Sequence, residues 1–213
     1  MYRHRNTFIS FAAGMLLGAA FLHLMPEAFA LRRNDAYVWA LAGLVAFYLL
    51  EHLVMLHSCV EEDCQAHTEL IPIVFGLAIH SLTDGLVVGI GLRAGANLGI
   101  VLLLAVAVHK APDVLATFSI LMGLQHTPAQ SAWGAFGILM FTPLGLLLGY
   151  LTGGMMSRPM LGALLSISCG ILIYIAAADL IPQTHRVREM VQYANIVALV
   201  TGAAIMQAMT VFE

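Results

Sequence analysis

Long apolar runs alternate with short breaks, polar or containing glycine or proline, along this chain. Each run is about as long as the ~20 residues that a helix needs to cross a hydrocarbon core. A backbone in lipid must satisfy its own hydrogen bonds, so these runs predict helices rather than strands. Seven spans are predicted, at 7–29, 36–57, 71–93, 97–123, 131–152, 160–181 and 190–212. Because the connections are short, we expect one transmembrane domain over 1–213, an all-α polytopic helix bundle.

The composition supports a membrane location. The chain is 61% hydrophobic and 10% charged, with a mean hydropathy of +0.90, whereas a soluble domain carries about 25% charged residues. The formal net charge is −3 and there is no basic tract, which argues against a nucleic-acid partner. We therefore expect an integral, multi-pass protein surrounded by lipid. Which membrane it occupies is left open, as is its orientation, because the arginines divide evenly between the two sides.

Two segments near the chain ends resemble each other. GMLLGAAFLHLMPE at 14–27 matches GILIYIAAADLIPQ at 170–183 at a constant offset of 156 residues. Both place a polar residue, His23 or Asp179, three positions before a proline. The first and sixth predicted spans run in opposite directions, so the repeat is predicted to be inverted. Inverted repeats are typical of transporters, because they give a fold two similar states that face opposite sides.

Four metal-ligating side chains share the third and fourth spans. A charged side chain inside a membrane costs about 2.5–3.5 kcal/mol on insertion scales, so each needs a reason. His80 and Asp84 are four residues apart, as are His109 and Asp113, which places each pair on one helix face. Neighbouring antiparallel spans can bring the two pairs to the same depth. Two imidazoles and two carboxylates suit Zn²⁺ and also tolerate Fe²⁺, Mn²⁺ or Co²⁺.

Lys110 lies within this set and shares a side with Asp113, three residues on. We expect its ammonium to fill the space of a second cation, which predicts a mononuclear site. Lys110→Glu should then raise the metal stoichiometry, as measured by calorimetric titration. Ser81 and Thr83 are weak candidate ligands, since helical hydroxyls more often bond their own backbone. Pro112 is expected to free the Val108 carbonyl and bend the helix.

Further polar groups lie outside this set. His23, Glu27 and Asp179 are candidates for a transport path, with an interfacial position as the alternative. The connection 58–70, SCVEEDCQAHTEL, is rich in metal-ligand side chains. It is interpreted either as a loose metal-binding loop or as an acidic solvated one. Its candidate ligands, with one residue just before it, are His57, Cys59, Cys64 and His67.

The two ligand-bearing segments resemble a known family. HSLTDG at 80–85 and HKAPD at 109–113 are similar to the metal-binding helices of the ZIP (Zrt/Irt-like) metal transporters, in the subgroup with lysine after the second histidine. Three further segments look like the family's second, third and seventh helices. They are FAAGMLLGAAFLHLMPEA at 11–28, FYLLEHLVMLH at 47–57 and SCGILIYIAAADLIPQ at 168–183. The resemblance therefore covers nearly the whole chain.

The resemblance implies eight helices, with metal bound between the fourth and fifth. The family's first helix has no counterpart among the seven spans, through truncation or a natural short form. The main site maps to His80, Asp84, His109 and Asp113. A second family site would use Ser81, Asp84, Lys110 and Asp113, but lysine and serine replace its usual ligands. The family topology also implies a cytoplasmic N-terminus and metal movement toward the cytoplasm.

The function that follows is transmembrane transport of a divalent metal ion, zinc above all, with Fe²⁺, Mn²⁺, Cd²⁺ and Co²⁺ as other candidate substrates. One alternative is a seven-span zinc-dependent lipid hydrolase, although the last span has no histidine or acid and the chain has no HExxH pair. Another is a metal-sensing membrane receptor, although no soluble output domain is visible. A non-enzymatic role is favoured. The oligomeric state is left open, with a homodimer as one option.

Overall fold

Helices form the fold of the computed structural model, which describes residues 5–58, 65–124, 126–154, 157–184 and 189–210. Two stretches of these helices are wound as π-helix, at Ala19–Leu24 and Ile175–Leu180. The α-helices in chain order are α1 Arg5–Gly18, α2 Met25–Leu31, α3 Ala36–Ser58, α4 Gln65–Ala94, α5 Ala96–Gly123, α6 Pro128–Leu139, α7 Phe141–Thr152, α8 Arg158–Tyr174, α9 Ile181–Thr184 and α10 Glu189–Thr210. The predicted all-α fold class is confirmed over these residues.

Five stretches of the described chain are long and apolar enough to cross a membrane. They are Asn6–Leu31, Ala36–Leu53, Pro72–Ala94, Pro128–Thr152 and Arg158–Thr184. Each corresponds to one of the seven predicted spans, and together they confirm a multi-pass membrane protein. The two remaining predicted spans coincide with α5 and α10, helices of 28 and 22 residues. That α5 and α10 also cross the bilayer stays a prediction.

Two boundaries differ from those predicted. Helix α4 begins at Gln65, so the predicted connection 58–70 is shorter than the polar sequence indicated. The fifth span begins at Pro128, where Thr127 forms a capping box with Gln130, and it divides into α6 and α7 around Met140. The capping residues could be read from the sequence, whereas the division inside an apolar run could not.

The predicted repeat recurs in the backbone. The π segments Ala19–Leu24 and Ile175–Leu180 are separated by the repeat's own offset of 156 residues at both ends. Each ends in a hydrogen bond that spans five residues, from Met25 N–H to the Ala20 carbonyl and from Ile181 N–H to the Ala176 carbonyl. A proline lies two positions after the last residue of each segment, at Pro26 and Pro182. Because proline has no N–H, the helix before it lacks one ordinary partner, and a wider turn accommodates that loss.

Close helix packing follows the same repeat. Helix α1 packs against α10, and α3 packs against α8. The repeat relates the first span to the sixth, and thus α1 to α8. If it also relates the second span to the seventh, α3 corresponds to α10, and the two packing contacts are equivalent. Gly14 faces the Leu199 carbonyl, and its repeat mate Gly170 faces the Ala40 carbonyl. A Cβ at either position would overlap backbone. The matching glycines therefore allow the same close approach in both halves.

Glycines also join α4 to α7. Gly85 and Gly89 on α4 face the Thr142 and Leu146 carbonyls. Gly145 and Gly149 on α7 face the Leu82 and Leu86 carbonyls in return. Four glycines with no room for a side chain hold the two backbones together. They fix the height and rotation of α4, the helix that bears His80 and Asp84.

An ion pair outside the spans ties α2 and α3 to α8. Arg32 donates from Nε and Nη2 to the two Asp35 carboxylate oxygens, each at 2.7 Å, and from Nη1 to the Pro159 carbonyl at 3.0 Å. The hydrogen bonds from Arg32 hold the pKa of the Asp35 carboxyl below its ordinary value. Trp39 adds an indole N–H bond to Asp35 at 3.2 Å. The turn between the first two spans is thereby fastened to the start of α8.

Candidate metal site

Three predicted ligands converge in the middle of the bundle. One ligand atom each from His80, Asp84 and Asp113 lies within 4.8 Å of the other two. His80 Nε2 is 3.5 Å from Asp84 Oδ2 and 3.2 Å from Asp113 Oδ2. Two ligands at about 2.1 Å from one zinc ion can lie at most about 4.2 Å apart. The imidazole nitrogen therefore stands at coordination spacing from both carboxylates.

The site is buried. His80 and Asp84 are 2% and 3% exposed, and the Asp113 side chain is 12% exposed. His80 and Asp84 come from one face of α4, as their spacing predicted, and Asp113 reaches them from α5. Fixed carboxylates with little water around them attract a cation far more strongly than they would at a protein surface.

Lys110 lies against both acids. Its Nζ is 2.6 Å from Asp84 Oδ2 and 3.2 Å from Asp113 Oδ2, and it donates to Ser81 Oγ at 3.3 Å. The predicted side shared by Lys110 and Asp113 is thus present in the structure. Ser81 and Lys110, which the resemblance places in a second site, are near neighbours of the first.

Hydroxyl groups around the site behave in two ways. Thr83 Oγ1 donates to the Ile79 carbonyl at 2.8 Å, so it bonds its own helix as expected for a buried threonine. Thr117 Oγ1 does the same with the Asp113 carbonyl at 2.9 Å. Ser168 Oγ, in contrast, is 3.3 Å from His80 Nδ1. In the tautomer whose Nδ1–H donates to Ser168, the His80 Nε2 lone pair points toward the carboxylates.

No role was predicted for Ser168, which links α8 to the candidate ligand His80. The signal available in the sequence was a polar side chain inside an apolar span, but serine in such spans more often bonds its own backbone. Ser166, two residues earlier, does so with the Gly162 carbonyl at 2.7 Å. Only packing of α8 on α4 distinguishes these two serines.

We expect Ser168→Ala to weaken zinc binding by about 10–100-fold, because partners of ligating histidines contribute about that much to metal affinity. Calorimetric titration of the purified protein measures the change. Ser166→Ala is the matched control, since Ser166 is equally buried but bonds its own helix, and its affinity should stay near that of the unaltered chain. Equal affinities for both variants would contradict an orienting role for Ser168.

The other predicted site residues fall in different places. The His109 side chain lies outside the described part of the structure, as do those of His57 in α3 and His67 in α4. Cys59 and Cys64 also lie outside the described residues. His23 and Asp179 occupy the two π segments, and His23 Nε2 is 4.0 Å from Glu27 Oε2. Cys169 is fully buried, and its thiol donates to the Ala20 carbonyl at 3.2 Å.

A cavity of about 540 Å³ opens beside the site. Glu27 lines it together with Val87 and Ile90 of α4, Leu102 of α5 and Leu161 of α8. Val87 follows Asp84 by three residues, so this cavity reaches within about one helical turn of the candidate ligands. Arg93 and Arg158 also line it. The cavity lies at the C-terminal end of α4. This end of the bundle is opposite to the one where α1 begins.

A family model described as ZIP Zinc transporter matches residues 57–210 of the chain. This range contains both ligand-bearing helices and covers more than half of the sequence. The chain belongs to the ZIP zinc transporter family. The family assignment predicted from the HSLTDG and HKAPD segments is confirmed, and the lysine-containing subgroup within the family stays a prediction.

Individual ZIP relatives are similar over most of the chain. Zinc transporter ZIP13 of Pongo abelii is 29% identical over 68% of this chain and 47% of its own length. Zinc transporter zipt-7.1 of Caenorhabditis briggsae is 24% identical over 96% of this chain and 71% of its own. Zinc transporter YKE4 of Saccharomyces cerevisiae is 25% identical over 94% and 69%. The chain therefore spans about half to seven tenths of the length of these three relatives.

Family membership settles the broad class. The ZIP relatives are named as zinc transporters, and these matches do not favour the hydrolase alternative. The chain's expected localisation as an integral, multi-pass membrane protein is confirmed by the family and the apolar spans.

Proposed function

We propose that this protein carries zinc across its membrane toward the cytoplasm, through a site formed by His80, Asp84, Asp113 and His109. The observation that carries the proposal is the convergence of His80, Asp84 and Asp113 within 4.8 Å inside a membrane-spanning bundle. A buried ionisable group is costly in such a place, and a shared cation offsets that cost. Membership of the ZIP family supports zinc as the ion.

The ligand chemistry supports a site that both binds and releases. One imidazole and two carboxylates, with the second imidazole from His109, form a nitrogen and oxygen set without thiolates. Such a set suits zinc and accepts Fe²⁺, Mn²⁺, Co²⁺ or Cd²⁺ as weaker candidates. We expect affinity below that of structural zinc sites. Because the ligands bind metal in their deprotonated forms, acid is expected to compete with the ion.

Access to the site is proposed to begin in the cavity lined by Glu27. A cytoplasmic N-terminus would place this cavity on the opposite side of the membrane, where the ion enters. His23 stands beside Glu27, and its repeat mate Asp179 occupies the second π segment, on the side where the ion would leave. The inverted repeat supports alternation between two such openings, by movement of one helix group against the other.

A single bound ion is proposed. The Lys110 ammonium contacts Asp84, Asp113 and Ser81, which are the other members of the second site implied by the family resemblance. A cation already present among these three side chains supports a mononuclear site. Binding of extra metal by the 58–70 segment, and assembly as a homodimer, are separate proposals that rest on the sequence alone.

A metal-competition uptake assay tests the proposal. Proteoliposomes that contain the purified protein should accumulate more labelled zinc than protein-free vesicles do. The substitutions His80→Ala and Asp113→Ala should remove this flux. Unlabelled Cd²⁺, Fe²⁺, Mn²⁺ and Co²⁺ should compete to different degrees, which ranks them as substrates. Tight zinc binding without any flux in the unaltered protein would favour the metal-sensing alternative and contradict transport.

Glu27→Gln is expected to raise the zinc concentration needed for half-maximal uptake by about 3–10-fold, with a smaller change in maximal rate. Removing a carboxylate from the entrance lowers the local concentration of divalent cations, an effect that weakens as salt rises. Initial uptake rates at several zinc concentrations measure it. Asp35→Asn provides a control, because Asp35 is an acid in the connection that follows α2 and its carboxylate pairs with Arg32. An equal change in both variants would contradict an entry role for Glu27.

A further inference from the structure

Lys110 and His80 compete for the same two oxygen atoms. Asp84 Oδ2 is 2.6 Å from Lys110 Nζ and 3.5 Å from His80 Nε2. Asp113 Oδ2 is 3.2 Å from each of these nitrogens. The ammonium is therefore not merely near the candidate site, because it already bonds the oxygens that an ion shared with His80 would take.

An entering ion must displace this contact. Zinc lies about 2.0–2.2 Å from a carboxylate oxygen, and the ammonium approaches Asp84 Oδ2 almost as closely. Two cations cannot hold one oxygen at such distances without strong repulsion. Lysine has a flexible four-carbon stem, and Ser81 Oγ at 3.3 Å offers a nearby neutral acceptor. The side chain can thus withdraw when the ion arrives and return when it leaves.

The charge of the site gives this exchange a consequence. With neutral imidazoles, Asp84, Asp113 and Lys110 sum to about −1 when empty and +1 with one divalent ion. Without the lysine, the same states would carry −2 and 0. The cost of holding charge in a low-dielectric medium grows with the square of the charge. With Lys110, the free energy of burying the net charge is therefore about the same for the empty and the loaded site. Without Lys110, this free energy is far higher for the empty site than for the loaded one.

We propose that Lys110 is a tethered counter-cation that allows the empty site to change its exposure from one side of the membrane to the other. The proposal rests on the transport function above. Net uptake needs this empty return in every cycle, because each ion is delivered and the carrier comes back without one. Exchange of one zinc ion for another needs only the loaded form. Lys110 should therefore matter far more for net uptake than for exchange.

The test compares these two modes in one preparation. Unaltered protein, Lys110→Met and Lys110→Arg are reconstituted in vesicles whose potential is held at zero by a permeant ion. Net uptake is the entry of labelled zinc into zinc-free vesicles. Exchange is its entry into vesicles preloaded with unlabelled zinc. We expect the ratio of net uptake to exchange to fall at least about tenfold in Lys110→Met and to stay near the unaltered value in Lys110→Arg, which keeps the charge.

A second variant separates charge from shape. Lys110→Met combined with Ser81→Lys keeps both carboxylates and moves the ammonium to a position whose own side chain lies 3.3 Å from Lys110 Nζ, and so returns the empty site to about −1. Its ratio of net uptake to exchange should recover toward the unaltered value. This variant also serves if Lys110→Met alone does not reach the vesicles folded.

The outcomes are distinct. A Lys110→Met protein that keeps the unaltered ratio would overturn the counter-cation role while leaving transport intact. A ratio that falls equally in Lys110→Arg or does not recover in the double variant would also overturn it, since charge would not be the cause. Absence of both modes in the unaltered protein would contradict the transport proposal instead.

Discussion

Asp84→Asn is expected to lower zinc uptake by about 100-fold or more, with a similar loss of zinc affinity. Losing an outer partner of a ligand typically costs about 10–100-fold in affinity, and Asp84 is proposed to touch the ion itself. Asparagine keeps the shape of the side chain but removes its charge. It also takes from Lys110 its shortest ionic contact, at 2.6 Å. Flux into proteoliposomes and calorimetric titration measure the two effects.

A folding defect must be separated from loss of the ligand, because breaking one side of a buried ion pair destabilises a protein by about 3–5 kcal/mol. Asp84→Asn combined with Lys110→Met removes both charges of the pair and should recover much of the thermal stability. Zinc uptake by that variant should stay low. Uptake near the unaltered level in either folded variant would contradict a ligand role for Asp84.

Gly145→Leu is expected to destabilise the protein by about 3 kcal/mol, near the upper end for an overpacked contact, and to reduce uptake strongly. The added side chain meets the backbone of α4 at Leu82, two residues before Asp84. Helices α4 and α7 must then separate or rotate, which moves the candidate ligands of α4 away from Asp113 on α5. Thermal unfolding in detergent and zinc flux report the two consequences.

Gly137→Leu is the matched control for this change. Gly137 belongs to the same span but has no atom within 4 Å of the position where a Cβ would lie. The same substitution there should change stability and uptake little. Similar losses for both variants would show that leucine is harmful in this span generally, and would contradict a specific role for the α4–α7 contact.

The two π segments give the inverted repeat a physical form. Both carry one of the repeat's polar residues, His23 or Asp179, and both end two positions before a proline. Because π turns are frequent at functional sites in helices, these segments are natural places for polar side chains to face a path. Their common offset in the chain argues that both halves of the bundle inherited the same local distortion.

Much of this protein was determined by the sequence itself. Apolar runs of about 20 residues predict spans because lipid offers no partners to an open backbone. The i, i+4 spacing placed His80 and Asp84 on one face because helix geometry fixes that relation. Comparison of the sequence with itself at an offset of 156 residues predicted the repeat, and the two π segments lie at the same offset. These features depend on near neighbours in the chain or on the solvent, so the tertiary arrangement is not needed to infer them.

Only the tertiary structure decided what lies across the gaps between helices. The 3.2 Å approach of His80 to Asp113 depends on how α4 and α5 are rotated, and the glycine contacts with α7 set part of that rotation. The contact of Ser168 with His80 Nδ1 depends on the packing of α8, which no local pattern encodes. The sequence placed Lys110 on the side of Asp113, but its 2.6 Å contact with Asp84 on the neighbouring helix was not predicted. Its place between Asp84 and Asp113 follows from the fold, because a buried ammonium is stable only where the packing brings carboxylates to it.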